Sequence, residues 1–389
     1  MKEEIVSKVK ASLQDSSFDA VLVFGYDNVQ YLTGAYLHYP ASFPDRYMAV
    51  FWANGQDPVC VLPWEWESSY LNLAWVKKTR TYTEKPGSPR GAAEAAATLA
   101  KNTVRRTGMI GVDTERVSVS LYEQLEATLE NFKLEPCDEW LRELRVVKTS
   151  KELELLEEVA ARTDHAIAGQ AHHVLVKQAA TEMSNTENVR IHALERQLDE
   201  VGHNAIAQVT TGEHAAKFWP GAPMYGIGFD RVPRHREWMR LELTATVNGY
   251  WCSGARMLTM GEPTEEQTAD YQTLVALRDA ALQNMKPGVR CSDVYEAVRQ
   301  AAAEKGIQLV GKVAVGAGVG TTNHEPPYIS GADHTKLKPG MVLNLNPVVR
   351  APSGELLMGR DTVVITEDGA KVVGWYKDWR EPFTANYTY

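Results

Sequence analysis

The chain has 389 residues and a formal net charge of −9, and 44% of its residues are hydrophobic. These values are typical of a folded protein with room for two ordinary domains. The acidic balance, without a dense Lys/Arg run, argues against nucleic-acid binding. No apolar stretch is long enough to span a bilayer, and the N-terminal segment has no apolar signal core. The four cysteines are scattered without CxxC spacing, which is typical of free thiols in a cytoplasmic protein.

The first part of the chain alternates helix and strand signals. The segment VSKVKASLQD predicts a helix and AVLVFGY a buried strand. YMAVFWANGQDPVCVL predicts two strands around an Asn-Gly turn, a common hairpin signal. EAAATLAKNTV and SLYEQLEATLEN predict helices on either side of the strand MIGVDTE. The alternation predicts an α/β domain.

A second domain is predicted to begin near residue 148. Thr149 and Ser150 precede Glu152, which is an N-cap pattern, and an apolar helical period follows. A short basic linker before a long helix places the boundary between domains of residues 1–147 and 148–389.

The second domain combines helices with strand-rich sequence. Helices are predicted over residues 151–172, 186–201, 264–286 and 291–305. HNAIAQVTTG and WMRLELTATVNGYWCSGARML read as strands, as do MVLNLNPVVRA and LLMGRDTVVITEDG. Paired helices among antiparallel strands predict an α+β domain.

Four fragments of the second domain carry a family resemblance. They are NGYWCSGAR, GAGVGTTNHEPP, LKPGMVLNLNPVV and MGRDTVVITEDG, in that order. They resemble, respectively, the GY…D-x-T-R hairpin, the H-G-x-G-x-x-x-H-E-x-P loop, and the L-x-x-G-M-V-x-x-x-E-P and R-x-E-D-T-x-x-V-T-E-D-G strands of the pita-bread fold family. That family holds methionine aminopeptidases, prolidases, aminopeptidase P and creatinase. The resemblance covers nearly the whole chain. It implies a creatinase/prolidase-type N-terminal α/β domain before an α+β pita-bread domain.

The ligand positions of that family carry unusual residues here. Its metalloenzymes hold two metal ions with five ligands, which fall on Glu242, Ser253, Ala317, Asn346 and Arg360. A dinuclear site needs several anionic carboxylates, and a guanidinium cannot ligate a metal. The resemblance therefore implies a site without metal or other cofactor. We expect a Glu242–Arg360 ion pair where one cation stood; alternatively, Arg360 binds a substrate carboxylate.

Among the members of the family, the sequence is closest in type to creatinase, which needs no metal. YLTGAYLHYPASFPDRYMAV is similar to a creatinase segment that reaches into the partner subunit and holds the substrate carboxylate. The resemblance implies that Phe43 and Arg46 have this role, and hence a homodimer. The position of the catalytic His of creatinase falls on Trp219, however, and the nearest His in that loop is His214.

The candidate site residues follow from these positions. His324, within HEPP, suits acid/base chemistry because an imidazole titrates near neutral pH. Glu325 has either a catalytic role or a role in bracing the loop, and His214 is the other candidate for proton transfer. The predicted substrate-binding residues are Phe43, Arg46, Trp219, Glu242, Ser253, Asn346 and Arg360.

The sequence thus predicts a metal-independent, creatinase-like enzyme that cleaves a C–N bond in a small carboxylate-bearing amino-acid derivative. Hydrolysis and elimination both stay open at this point. Two other functions remain: a non-catalytic pita-bread protein that binds a small molecule or peptide, and an Xaa-Pro peptidase with a rebuilt metal site.

Overall fold

A computed structural model describes residues 1–37, 43, 46–83, 89–105, 107–177, 204–212, 215, 233–310, 314–376 and 379–385. The chain divides into two compact units, Met1–Arg145 and Val146–Tyr389. The division falls two residues before the boundary predicted at 147/148.

The first unit is an α/β domain, as predicted. Its helices are α1 (Lys2–Asp15), α2 (Tyr26–Thr33), α3 (Glu67–Leu73), α4 (Arg90–Thr103), α5 (Val119–Thr128) and α6 (Asp138–Val146). Its strands are β1 (Ala20–Val23), β2 (Ala49–Ala53), β3 (Val59–Pro63), β4 (Thr79–Tyr82), β5 (Met109–Val112) and β6 (Lys133–Pro136). They form one sheet in the order β4-β3-β2-β1-β5-β6.

Both faces of this sheet are buried by helices. Val21 and Val23 of β1 pack in one core with residues of α1, α2 and α6. Ala20 and Leu22 of the same strand pack in a second core with α4 and α5. A strand buried on both faces reads as a continuous apolar run, which explains why AVLV shows no polar alternation.

The second unit is an α+β domain, again as predicted. Its helices are α7 (Ser150–Lys177), α8 (Glu265–Asn284) and α9 (Cys291–Glu304). Its strands are β7 (Asn204–Thr211), β8 (Trp238–Val247), β9 (Tyr250–Met260), β10 (Gln308–Leu309), β11 (Gly316–Gly318), β12 (Glu325–Tyr328), β13 (Val342–Leu345), β14 (Val348–Arg350), β15 (Leu356–Met358), β16 (Asp361–Thr366), β17 (Gly369–Val373) and β18 (Phe383–Ala385). The predicted helix at 186–201 lies outside the described residues.

The described strands of this unit form three sheets, in the orders β18-β9-β8-β7, β12-β11-β13-β16-β17 and β10-β14-β15. The central hairpin β8–β9 closes through Asn248 and Gly249, both with positive φ. An Asn-Gly pair tolerates this conformation, which matches the twist of the two strands. The helices α8 and α9 pack with the five-stranded sheet in the largest core of the unit. Among the described helices, none has both the length and the apolar composition that crossing a membrane requires.

Gly318 lets the two strands that frame the HEPP segment approach closely. Gly318 of β11 pairs with Glu325 of β12. A Cβ atom at Gly318 would lie 2.6 Å from the carbonyl oxygen of Pro326 and 2.8 Å from that of Glu325. Both contacts are with backbone atoms that cannot rotate away, so the glycine is a steric requirement of the loop.

We expect Gly318→Ala to destabilise the protein by about 1–3 kcal/mol, because an added methyl group must push two backbone segments apart. The measurement is the midpoint of urea unfolding. Gly331→Ala is the matched control, since a Cβ there meets its nearest neighbour, the ring of Tyr295, at an ordinary 3.6 Å. Equal midpoints for the two variants would contradict the steric requirement.

Candidate functional site

The candidate site lies on the polar face of the β7–β8–β9 sheet. Successive strand residues alternate between faces, so Met239, Leu241 and Leu243 share one face and pack against Ile167 of α7. Arg240, Glu242 and Thr244 project to the opposite face. Positions 240, 242 and 244 are nevertheless all buried, because other parts of the second unit cover this face.

Two guanidinium groups bracket the carboxylate of Glu242. Arg240 donates from Nε to Oε1 at 2.7 Å, and Arg360 donates from Nη2 to Oε2 at 3.4 Å. All three side chains are largely buried, with exposed fractions of 1%, 10% and 12% for Arg240, Glu242 and Arg360. The predicted Glu242–Arg360 ion pair is therefore present, and Arg240 joins it.

Arg360 is fixed through its backbone as well as its side chain. Its N–H donates to the carbonyl oxygen of Ala255 at 3.1 Å, and its own carbonyl oxygen accepts from Arg256 Nη1. Burial lowers the pKa of the Arg360 guanidinium; Glu242 opposes this shift and the nearby charge of Arg240 adds to it. Glu242 carries one negative charge and is shared by two guanidinium groups, so it does not fully neutralise Arg360.

Asp361, the residue after Arg360, is fixed by hydrogen bonds to its carboxylate. Its carboxylate accepts from Arg278 Nε at 2.6 Å and from Trp379 Nε1 at 2.7 Å. The ring of Trp379 contacts the guanidinium groups of Arg278 and Arg256, with centroid distances of 4.9 Å and 5.5 Å. This buried network orients the segment that carries Arg360.

His324 lies at the exposed edge of the site, directly before β12. Loss of hydration next to protein atoms lowers its pKa, and the positive charge of Arg360 lowers it further. The imidazole is therefore neutral at pH 7, with a free lone pair that can accept a proton. The structure thus places the predicted acid/base residue within electrostatic reach of Arg360.

Both carboxylate oxygens of Glu325 accept hydrogen bonds from neighbouring side chains. Its Oε1 accepts from Lys148 Nζ at 2.9 Å, and its Oε2 accepts from Thr322 Oγ1 at 3.1 Å. The Lys148 and Glu325 side chains are 2% and 8% exposed. These contacts favour the bracing role for Glu325, and its catalytic role stays an untested prediction.

Two asparagines on the neighbouring sheet carry open hydrogen-bonding atoms. Asn344 accepts from Thr362 Oγ1 at 3.1 Å through Oδ1, while its buried Nδ2 finds no partner among the described residues. Within the same part of the chain, the buried Oδ1 of Asn346 also has none. Asn346 and Arg360 flank the Leu345–Asp361 pair of β13 and β16, so they lie side by side. This places the predicted residue Asn346 next to Arg360.

The remaining predicted residues have different outcomes. Ser253 is buried and hydrogen-bonded to Thr244 Oγ1 at 3.1 Å and to Asn323. Phe43 and Arg46 belong to the first unit, where the Arg46 guanidinium lies 5.2 Å from the ring centroid of Phe43. Their contact with a partner subunit stays a prediction. His214 and Trp219 lie outside the described residues, so their predicted roles stay predictions.

The donor set does not fit the two divalent ions that the family's metalloenzymes bind. At the five ligand positions the only carboxylate is Glu242, and two guanidinium groups already neutralise it. A methyl group stands at Ala317 and a cation at Arg360. Within the described ranges, no three His, Cys, Asp or Glu side chains converge as a metal site would require.

Sequence reasoning missed three residues of the site: Arg240, Lys148 and Asn344. Arg240 had a signal, since RLELT alternates polar and apolar side chains around Glu242. No sequence pattern indicated Lys148, because its partner Glu325 is 177 residues away along the chain.

Comparisons with known proteins agree with this architecture. The sequence model of the Creatinase/Prolidase N-terminal domain matches residues 6–147, and that of Metallopeptidase family M24 matches residues 155–367. The putative dipeptidase YkvY of Bacillus subtilis (strain 168) is 25% identical over 374 residues, 95% of this chain and 97% of that protein. The Xaa-Pro dipeptidase of Pyrococcus furiosus is 25% identical over 268 residues, 69% of this chain and 74% of that protein. The crystal structure of an X-Pro aminopeptidase from Thermotoga maritima MSB8 aligns with a TM-score of 0.79 at 18% identity, covering 96% and 99% of the two chains. The predicted pita-bread architecture with its N-terminal domain is confirmed.

We expect Arg360→Met to raise the pKa of His324 toward the ordinary value of 6.5, because the variant removes a positive charge that disfavours the imidazolium. The measurement is an NMR titration of the histidine ring protons. Arg299→Gln is the control, since Arg299 is exposed on α9 and pairs with Glu296. An unchanged His324 pKa in Arg360→Met would show that the two side chains do not interact.

Proposed function

Because the chain belongs to the metallopeptidase family M24, we propose that it is a hydrolase of C–N bonds that works without metal. The substrate is a small carboxylate-bearing amino-acid derivative, as in creatinase-like members. One observation carries the proposal: a buried Arg240–Glu242–Arg360 cluster occupies the family's metal-ligand region. The membership supports hydrolysis over elimination, since the relatives named above are dipeptidases.

Arg360 is the group we assign to carboxylate recognition. Its bond to Glu242 is long, at 3.4 Å, and in the described part of the chain it is the side chain's one hydrogen bond. Glu242 has a shorter bond to Arg240, at 2.7 Å. Arg360 therefore keeps donors that a substrate carboxylate can accept from in a bidentate fork.

His324 is the group we assign to proton transfer. The neutral imidazole takes a proton from a water molecule as the water oxygen attacks the carbon of the C–N bond. The imidazolium then returns the proton to the nitrogen, which leaves with the electron pair of the broken bond. Arg360 holds the substrate beside the imidazole, and its charge disfavours the imidazolium, which promotes return of the proton.

Two rival functions make different predictions for this site. A peptidase with a rebuilt metal site needs further anionic ligands, and the described donor set supplies a single carboxylate already paired with two arginines. A non-catalytic binding protein would keep Arg360 as a ligand contact but would have no use for a neutral His324. Loss of turnover in a His324 variant would therefore favour the enzyme.

We expect His324→Ala to lower kcat/KM by about 100-fold or more on a substrate identified by screening N-substituted amino acids, because the variant loses the proton-transfer group. His334→Ala is the matched control, since His334 is an exposed histidine whose Nδ1 lies 3.2 Å from Ser292 Oγ. Turnover in His324→Ala equal to that of the control would remove His324 from the mechanism.

We also expect the purified protein to contain no stoichiometric zinc, manganese, cobalt or iron. Dialysis against a chelator should leave both its thermal midpoint and its activity unchanged, because the proposed chemistry needs no ion. Elemental analysis and a thermal unfolding scan before and after chelation test this. One or two equivalents of a divalent metal whose removal abolishes activity would establish the peptidase with a rebuilt site instead.

A further inference from the structure

The carboxylates in the described part of the site are already paired with basic groups of the protein. From this we infer a substrate class, resting on the proposed function above: a carboxylate whose nitrogen-bearing group is electrically neutral, such as an N-carbamoyl or N-acyl amino acid. A free ammonium or a guanidinium at the same position is excluded.

The charges of the described side chains support this exclusion. Glu242 is shared between Arg240 and Arg360, and Glu325 is paired with Lys148. A cationic group of the substrate would have to compete with these basic groups for a carboxylate. It would also approach the guanidinium of Arg360, and like charges repel strongly where water is largely excluded.

Asp361 offers no alternative. Its two carboxylate oxygens accept from Arg278 at 2.6 Å and from Trp379 at 2.7 Å, and Arg256 lies 3.2 Å away. Its side chain is 1% exposed. In the part of the site that the structure describes, no carboxylate is left for a substrate cation.

Beside Arg360, whose open donors are assigned to the substrate carboxylate, two neutral side chains have open hydrogen-bonding atoms. Among the described residues, Asn346 Oδ1 lacks a donor and Asn344 Nδ2 lacks an acceptor, and both atoms are buried. The two residues are two apart in extended chain, so they project to the same face, next to Arg360. A buried amide atom without a partner favours a ligand that supplies one.

An amide or ureido group matches this pair. It presents an N–H to an acceptor and a carbonyl oxygen to a donor, with no net charge to desolvate. Rotating either asparagine amide by half a turn exchanges its donor and acceptor but leaves a neutral pair. The preference for an uncharged group therefore does not depend on how the two amides are oriented.

The test uses two probes that differ only in charge. N-carbamoylglycine and guanidinoacetate have the same carboxylate and the same shape, with a carbonyl oxygen in the first where the second has a cationic nitrogen. We expect N-carbamoylglycine to bind at least about tenfold more tightly in isothermal titration calorimetry, and glycylglycine to bind as poorly as guanidinoacetate. Equal binding, or tighter binding of guanidinoacetate, overturns the inference.

Two variants test whether Asn346 contributes to this preference. Asn346→Asp adds an anion beside Arg360, so it should reduce the preference for N-carbamoylglycine by at least about tenfold. Asn284→Asp adds the same charge at an exposed position at the end of α8 and should leave the ratio of the two affinities unchanged. The same ratio in all three proteins would overturn the role of Asn346.

Arg360→Met tests the carboxylate recognition itself. If the variant loses binding of every probe while the wild type prefers guanidinoacetate, the proposed function stands and the substrate class is wrong. If the wild type binds none of the probes, or if Arg360→Met binds them unchanged, carboxylate recognition fails and the substrate class fails with it. Circular dichroism and the thermal midpoint of each variant confirm that it is folded.

Discussion

The site depends on one electrostatic constraint: the Glu242 carboxylate is buried and must be neutralised where it lies. An unpaired carboxylate at this depth would cost several kcal/mol. Arg240 and Arg360 meet that cost, and neutralising one carboxylate with two guanidinium groups leaves a net positive charge. Burial is the main cause of the lowered pKa values of Arg360 and His324; the charge of Arg240 adds to the first shift and that of Arg360 to the second.

The rest of the second unit serves to hold these groups in place. The apolar face of the β7–β8–β9 sheet is committed to α7, which leaves the polar face to form the site. Arg256 and Asp361 fix the backbone around Arg360, and the Lys148–Glu325 pair fixes the loop beside His324. The segments that carry Arg360 and His324 are thus each anchored by a buried ion pair, which is how a rigid fold can position a flexible side chain.

The sequence predicted much of the fold because its signals are local. Helix and strand periodicity gave the α/β and α+β classes, and four short fragments in family order gave the pita-bread architecture. The length of α7 was underestimated: it extends to at least Lys177 rather than ending near residue 172, since HHVLVK carries no helix-stop residue. The ligand positions carried over from the family also placed Glu242 and Arg360 in contact.

By itself, then, the sequence determined the two domains, their folds, and the loss of metal-ligating side chains at four of the five ligand positions. It also predicted that Glu242 and Arg360 lie close together, because both occupy ligand positions of the same metal site in the family. Only the tertiary structure decided the charge balance. Arg240 joins Glu242 through strand alternation, Lys148 reaches Glu325 across 177 residues, and Asn344 and Asn346 keep open atoms beside Arg360. Partners of this kind are set by proximity in space, and a linear pattern does not encode which distant segment a buried charge will meet.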